Sequence, residues 1–264
     1  MINKNHTIED IIAYLDNRYP QLLALDFDKE KIGLSVGNIK NKVNNILLAL
    51  DITSEVVDEA IQQKANLVIT HHPFLFDPIT KLLFDDPKTK IIHKLLNNKI
   101  SVFSIHTNLD VAIGGVNDTL AQLIKLNNFV GVNEKGSFLR CGEIPEKKLF
   151  DFASEVKKIL HLTGVRVAGK ETEIIRRVAI IGGSGADLNN IKLALENNCD
   201  CLITSEIKLH IAQYAQSHNL ALIEINHGSE HFVLEVVRND LARKFDLENR
   251  IFVSNINTDP FIYI

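Results

Sequence analysis

The 264-residue sequence predicts an α/β fold of two related lobes with largely parallel strand pairing. Short apolar runs alternate with amphipathic segments, the pattern of layered α/β units. The order also repeats. "ILLALD…NLVITHH…ISVFSIHTNLD" in the first half is matched by "VAIIGG…DCLITSE…LALIEINHGSE" in the second. Finally, most of these runs end in polar groups, often His, Asp or Glu. The repeat is too long for a solenoid, so it reads as an internal duplication. The expected division is 1–126 with 226–264 as one lobe and 127–225 as the other. The stretch 127–176 has no counterpart and reads as an insertion or as the start of the second lobe.

The elements follow in order. "HTIEDIIAYLDNR" is a helix that Thr7 caps, with Asp10 at the capping-box position. "NNILLALDIT" (44–53) is a buried strand, because its apolar run is continuous. "SEVVDEAIQQKA" (54–65) is an amphipathic helix capped by Ser54. "NLVIT" (66–70) is a strand, "KTKIIHKLLNNK" a helix and "ISVFSI" (100–105) a strand. A further helix, "NDTLAQLIKL", starts after the turn at Gly114 and Gly115. In the second half, "RRVAIIGGSG" (176–185) is a strand and a glycine turn. "DLNNIKLALENN" is a helix, "CDCLIT" a strand, "LHIAQYAQSHN" a helix and "LALIEI" (220–225) a strand.

Composition narrows the function classes. Hydrophobic residues make up 45% and charged residues 23%, the balance of an ordinary globular protein. The net charge is -4 and no basic stripe stands out, so nucleic acid is not an expected partner. The "EKKLF" and "EIIRRV" segments read as solvated surface. No run approaches the ~18 apolar residues of a membrane span, and the N-terminus lacks an apolar signal core. The three cysteines contain no CxxC, which argues against a disulfide framework or a zinc ribbon. The expectation is a cytoplasmic protein whose metals, if any, sit on imidazoles and carboxylates.

Ligands of parallel α/β units bind beyond the carboxyl ends of the strands. Four clusters lie there: His71 and His72 before Pro73, His106 with Asp110 in "HTNLD", Glu206 in "TSE", and His227 with Glu230 in "NHGSE". Adjacent side chains on a strand point to opposite faces, so two neighbouring histidines are rarely both structural. Past a strand end that alternation lapses, and two imidazoles can serve neighbouring sites. With carboxylates they form a mixed N/O set suited to zinc, iron, manganese, cobalt or nickel. His227 and Glu230 share a face at i, i+3 if a helix starts there, although an acid at that place also favours a helix N-terminus. His106 is either a ligand or the orienter of one. His93, His161 and His218 read as structural. "GGSG" (182–185) lacks the phosphate-loop patterns and reads as a tight turn, with phosphate contact through its N–H groups as the other reading.

In these motifs the chain resembles the Nif-three-like dinuclear metal-centre family, often called GTP cyclohydrolase 1 type 2 homologues. The resemblance runs through "GLSVGN", "LALDITSEVVDEAI", "LVITHHPFLF", "HTNLDVAIGGVNDTLA", "RRVAIIGGSGADL", "CLITSEIKLHIAQYA" and "NHGSEHFVLE". It implies two divalent metal ions per chain on His71, His72, Asp110, His227 and Glu230, at a site between the lobes. It implies a homohexamer. It also implies a hydrolase that opens the guanine ring of GTP to formate and dihydroneopterin triphosphate, with His106 or Glu206 moving protons. The alternative is a non-catalytic protein of metal binding, metal delivery or regulatory interaction. Two departures stand out: "TSE" replaces the "TGE" expected of the family, and the last His and Glu are spaced i, i+3 where other members have i, i+4.

Overall fold

Runs such as "NILLA", "ANLVIT" and "SVFS" have no polar face to turn to water, so they can be strands only inside a sheet covered on both sides. The computed structural model, which describes residues 6–132 and 137–262, places them so. In chain order the elements are α1 (Ile8–Arg18), β1 (Gly33–Val36), β2 (Asn45–Ala49), α2 (Ser54–Gln62), β3 (Ala65–Thr70), α3 (Pro87–Asn97), β4 (Ser101–Ser104), α4 (Thr107–Val111), α5 (Val116–Leu123), β5 (Asn127–Gly131), β6 (Arg140–Lys148), α6 (Leu149–Ile159), β7 (Arg166–Ala168), β8 (Ile174–Ile180), α7 (Leu188–Glu196), β9 (Cys201–Thr204), α8 (Leu209–Ser217), β10 (Ala221–Glu224), α9 (Val233–Phe245) and β11 (Ile251–Val253). A 3₁₀ helix spans His227–Phe232.

The chain forms two compact units. One comprises residues up to Ala112 together with Val233–Thr258, and the other Ile113–Phe232 with the residues from Asp259 on. Residues 113–126 and 226–232 therefore fall in the second unit. There α5 packs on β6, β8 and the 3₁₀ helix.

The first unit holds a five-stranded sheet in the order β1-β4-β3-β2-β11. Its core strands run parallel, with Leu47 opposite Val68 and Val68 opposite Val102, and β1 closes one edge antiparallel to β4. Leu47, Val68 and Val102 belong to a core completed by Val56, Val57 and Ala60 of α2 and Leu95 of α3. Thr7 caps α1 with the expected capping box. The cap of α2 is Thr53, not Ser54, because the Thr53 hydroxyl accepts from Val56 N–H and so sets the helix start one residue earlier.

The second unit holds a six-stranded sheet in the order β5-β6-β8-β9-β10-β7. Parallel pairing is confined to β8, β9 and β10, while β5, β6 and β7 pair antiparallel. The stretch 127–176 supplies β5, β6, α6, β7 and the start of β8, so it is part of this sheet. The two topologies correspond. In one, β2, β3 and β4 lie side by side and parallel, with antiparallel β1 outside β4. In the other, β8, β9 and β10 lie side by side and parallel, with antiparallel β7 outside β10. A duplicated three-strand unit with an antiparallel edge accounts for both. Among the described residues, no helix is long and apolar enough to cross a membrane.

Candidate metal centre

Pairing does not stop where β3 ends. His71 N–H donates to Ala49 O at 3.2 Å and His72 N–H to Leu50 O at 2.9 Å, so both histidines stay tied to the chain that continues β2. The Thr70 hydroxyl adds a bond to His72 O at 2.8 Å. The two rings nevertheless end with centroids 4.9 Å apart. His71 is buried and directs Nδ1 at Ile105 O, 3.0 Å away. His72 directs Nδ1 at Asp51 Oδ1, 2.7 Å away. Asp51 stands directly beyond β2 and also accepts from the Thr258 hydroxyl. Burial pushes the Asp51 carboxyl up, but the bonds from His72 and Thr258 outweigh it and hold it below its usual range.

His106 opens α4, and its carbonyl accepts from Asp110 N–H at 3.1 Å, so the two lie one turn apart. Its Nδ1 lies 2.9 Å from Asp28 Oδ1. Asp28 is fully buried, and its other oxygen takes both the N–H and the hydroxyl of Thr107, at 3.1 and 2.6 Å. Burial raises this carboxyl as well, and the bonds from His106 and Thr107 more than reverse it. The His106 ring sits 5.2 Å from that of His71 and 5.6 Å from that of His72. Asp110 Oδ1 faces His71 Nε2 at 3.5 Å. His71, His72 and His106 offer three ring nitrogens within 4.8 Å of one another, close enough to hold one metal ion.

In the second unit the sequence spacing and the local helix agree. Residues at i and i+3 eclipse in a 3₁₀ helix, and His227 Nε2 lies 3.3 Å from Glu230 Oε2. The space for that carboxylate comes from glycines. A Cβ on Gly182 would come within 3.0 Å of Glu230 Oε1, and one on Gly183 within 2.9 Å. Gly183 also has φ +60°, which side-chain-bearing residues rarely adopt. Gly182 N–H is taken by Asn117 Oδ1 at 2.6 Å. The "GGSG" turn therefore cradles a carboxylate of its own chain, and the phosphate reading loses that donor. Glu206, itself at φ +56°, receives His227 Nδ1 at 2.6 Å and the Ser184 hydroxyl. The Ser184 bond, partly offset by burial and aided by His227, holds Glu206 below the usual carboxylate range. Ser205, where a glycine was expected, is buried, and its hydroxyl finds no hydrogen-bond partner among the described residues. His231 turns to Gly228 O, away from this group.

The structure thus gathers His71, His72, His106 and Asp110 in one unit and Glu206, His227 and Glu230 in the other. Asp28 and Asp51 lie outside the four clusters that the sequence offers. Asp51 follows a strand, so the strand-end rule that found the others reaches it too. Asp28 comes from an irregular loop, and no periodicity marks it.

The family model for Duf34/NIF3 (NGG1p interacting factor 3) matches residues 6–260. The chain belongs to the DUF34/NIF3 family. A Clostridium acetobutylicum relative named GTP cyclohydrolase 1 type 2 homolog is 32% identical over 266 aligned positions, covering 96% of this chain and 97% of the relative. A Lactococcus lactis protein of the same name is 32% identical over 257, covering 96% and 98%. Among solved structures, a Bacillus cereus protein related to NIF3 superposes with a TM-score of 0.93 at 27% identity, covering 99% of this chain and all of that one (100%). Reduced HcgD from Methanocaldococcus jannaschii gives 0.81 at 28%, covering 95% and 98%. The two-sheet α/β fold is shared with both structures.

The residues present suit metal ions. His71, His72, His106 and His227 each have Nδ1 on an oxygen that can only accept. Nδ1 therefore carries the proton and Nε2 the lone pair, the arrangement of metal-ligating histidines with an oriented tautomer. Two of these Nε2 atoms face carboxylate oxygens at 3.5 and 3.3 Å. A lone pair and an anion repel at that distance unless a cation or a proton lies between them.

Proposed function

We propose that His71, His72, Asp110, His227 and Glu230 ligate two divalent ions and that the chain is a hydrolase opening the guanine ring of GTP to formate and dihydroneopterin triphosphate. The Nδ1 anchoring of the three histidines in this set, His71, His72 and His227, is the observation that carries the metal half of this reading. The names of the Clostridium and Lactococcus relatives supply the reaction half. When bound, the ions supply Lewis acidity and bring the pKa of water down to about 7.

The protein's own groups supply the rest. Removing C8 of guanine as formate breaks two C–N bonds, and each departing nitrogen needs a proton. His106 is suited to deliver them. Asp28 holds its Nδ1–H, which fixes the tautomer and stabilises the imidazolium while Nε2 carries the mobile proton. Asp51 orients His72 in the same way. Glu206 orients His227, and its exposed carboxylate is the second candidate for proton transfer. A soluble homohexamer of the cytoplasm is the expected working form.

The test is formate release from GTP by metal-loaded protein, beside His72→Ala, Asp110→Ala and His106→Ala. The reading expects turnover that requires metal. The first two variants should lose both metal and turnover, while the third should lose turnover with its metal content kept. No formate from a preparation holding two metals per chain would remove the cyclohydrolase and leave metal delivery or regulation.

A further inference from the structure

All three cysteines of the chain lie in the second unit, in or beside its sheet, and all are buried. Two of them touch. Cys199 Sγ lies 3.5 Å from Cys141 Sγ. Cys141 belongs to β6, where it pairs with Ala179 of β8. Cys199 belongs to the turn between α7 and β9, just after Asn198 at φ +56°. The pair packs among Leu139, Ile181, Ile191 and Ala194. Among the described residues, Cys201 Sγ touches no other sulfur.

This is not a plain apolar pocket. Arg177 reaches the same corner, with Nε on Asn197 O at 2.7 Å. Asn197 O also lies 3.9 Å from Cys199 Sγ. The Cys199 S–H donates to Cys141, which holds the Cys141 thiol below its ordinary range despite burial, and the Arg177 charge works in the same direction. The same bond, with burial, pushes the Cys199 thiol up. Two sulfurs in contact beside a cation are the geometry in which an oxidised sulfur on one cysteine can be resolved by the other. Cys141 is 1% and Cys199 6% exposed, so a small oxidant reaches the pair from the side of the Cys199 turn.

We propose that Cys141 and Cys199 form a peroxide-responsive dithiol that closes reversibly to a disulfide. The Cys141 sulfur attacks one oxygen of hydrogen peroxide. The O–O bond breaks, one water leaves, and Cys141 becomes a sulfenic acid. The Cys199 thiol then attacks the Cys141 sulfur, the S–O bond breaks, and its proton leaves with the hydroxyl as a second water. The two thiols together lose two electrons, and peroxide is reduced to two waters. The bond ties β6 to the turn that feeds β9.

The test treats the full-length reduced protein with excess hydrogen peroxide, then denatures it and titrates its thiols. The expected result is a fall from three titratable thiols to one, an intact mass lower by two hydrogens, and a proteolytic map joining the Cys141 and Cys199 peptides. Dithiothreitol should restore all three. Cys201→Ser should still lose two thiols, and Cys199→Ser should lose none to a disulfide. Three thiols surviving in the wild type, oxygen added at single cysteines, or a cross-link between two chains would each overturn the proposal. The wild-type map decides even if a variant folds poorly.

Discussion

His106 and His227 each donate Nδ1–H to a carboxylate, at 2.9 and 2.6 Å, but the two acceptors live in different worlds. Asp28 is fully buried and is also bonded to Thr107, whereas the Glu206 side chain is 57% exposed. A buried anion survives only when its lone pairs are met, so Asp28, His106 and Thr107 stand or fall together. An exposed pair is screened by water and contributes little to folding. In the first unit, orienting the imidazole is bound up with stability. In the second, it is nearly separate from it, and the precision comes from the glycines that admit Glu230.

The sharpest way to break this contrast is Asp28→Ala. It strands a half-buried imidazole together with the buried hydroxyl and N–H of Thr107, and should cost about 3 kcal/mol in urea unfolding. A cost below about 1 kcal/mol would mean that the dyad is not a structural unit.

Acid sharpens the same point. The folded-state pKa of Asp28 is depressed, so its contribution is complete above the unfolded value of about 3.9 and is lost as pH falls through the folded value. Metal-free wild type should lose stability below about pH 4 more steeply than Asp28→Asn, read from unfolding curves at stepped pH.

Gly183→Ala probes the other unit. The left-handed backbone and the displaced Glu230 should cost about 1–2 kcal/mol. Metal content by elemental analysis should fall with it. Glu206→Ala should move unfolding by less than about 0.5 kcal/mol. It should nonetheless weaken metal binding about tenfold by calorimetry, since His227 loses its orienting partner. Ser184→Ala should be the mildest. It removes one bond to Glu206, and metal affinity should change by less than about threefold.

Much of this arrangement is legible in the sequence where burial dictates residue type. β2, β3, β4, β8, β9 and β10 are short, continuous and apolar because both faces are covered, and their polar ends mark His71, His72, Asp110, Glu206 and His227. What escapes reading is local and irregular. β6 carries Pro145 and a register shift between Glu143 and Lys147, so its run of polar residues does not resemble a strand. β1 and β11 are short edge strands, and their pairing depends on partners distant in sequence. Asp28 is fixed by contacts to residues about eighty positions away, which no local pattern encodes.

The 3₁₀ turn at His227–Phe232 bears on how this site can change over time. His227 and Glu230 coincide at a separation of three because each residue advances about 120°. In an α-helix the same separation leaves them about 60° apart, and four residues bring them closer to alignment. A single-residue insertion between His227 and Glu230 is therefore tolerable only if the turn relaxes to an α-helix in the same step. Spacing and helix type at His227 and Glu230 are therefore coupled, and a change in one requires a change of helical pitch in the other.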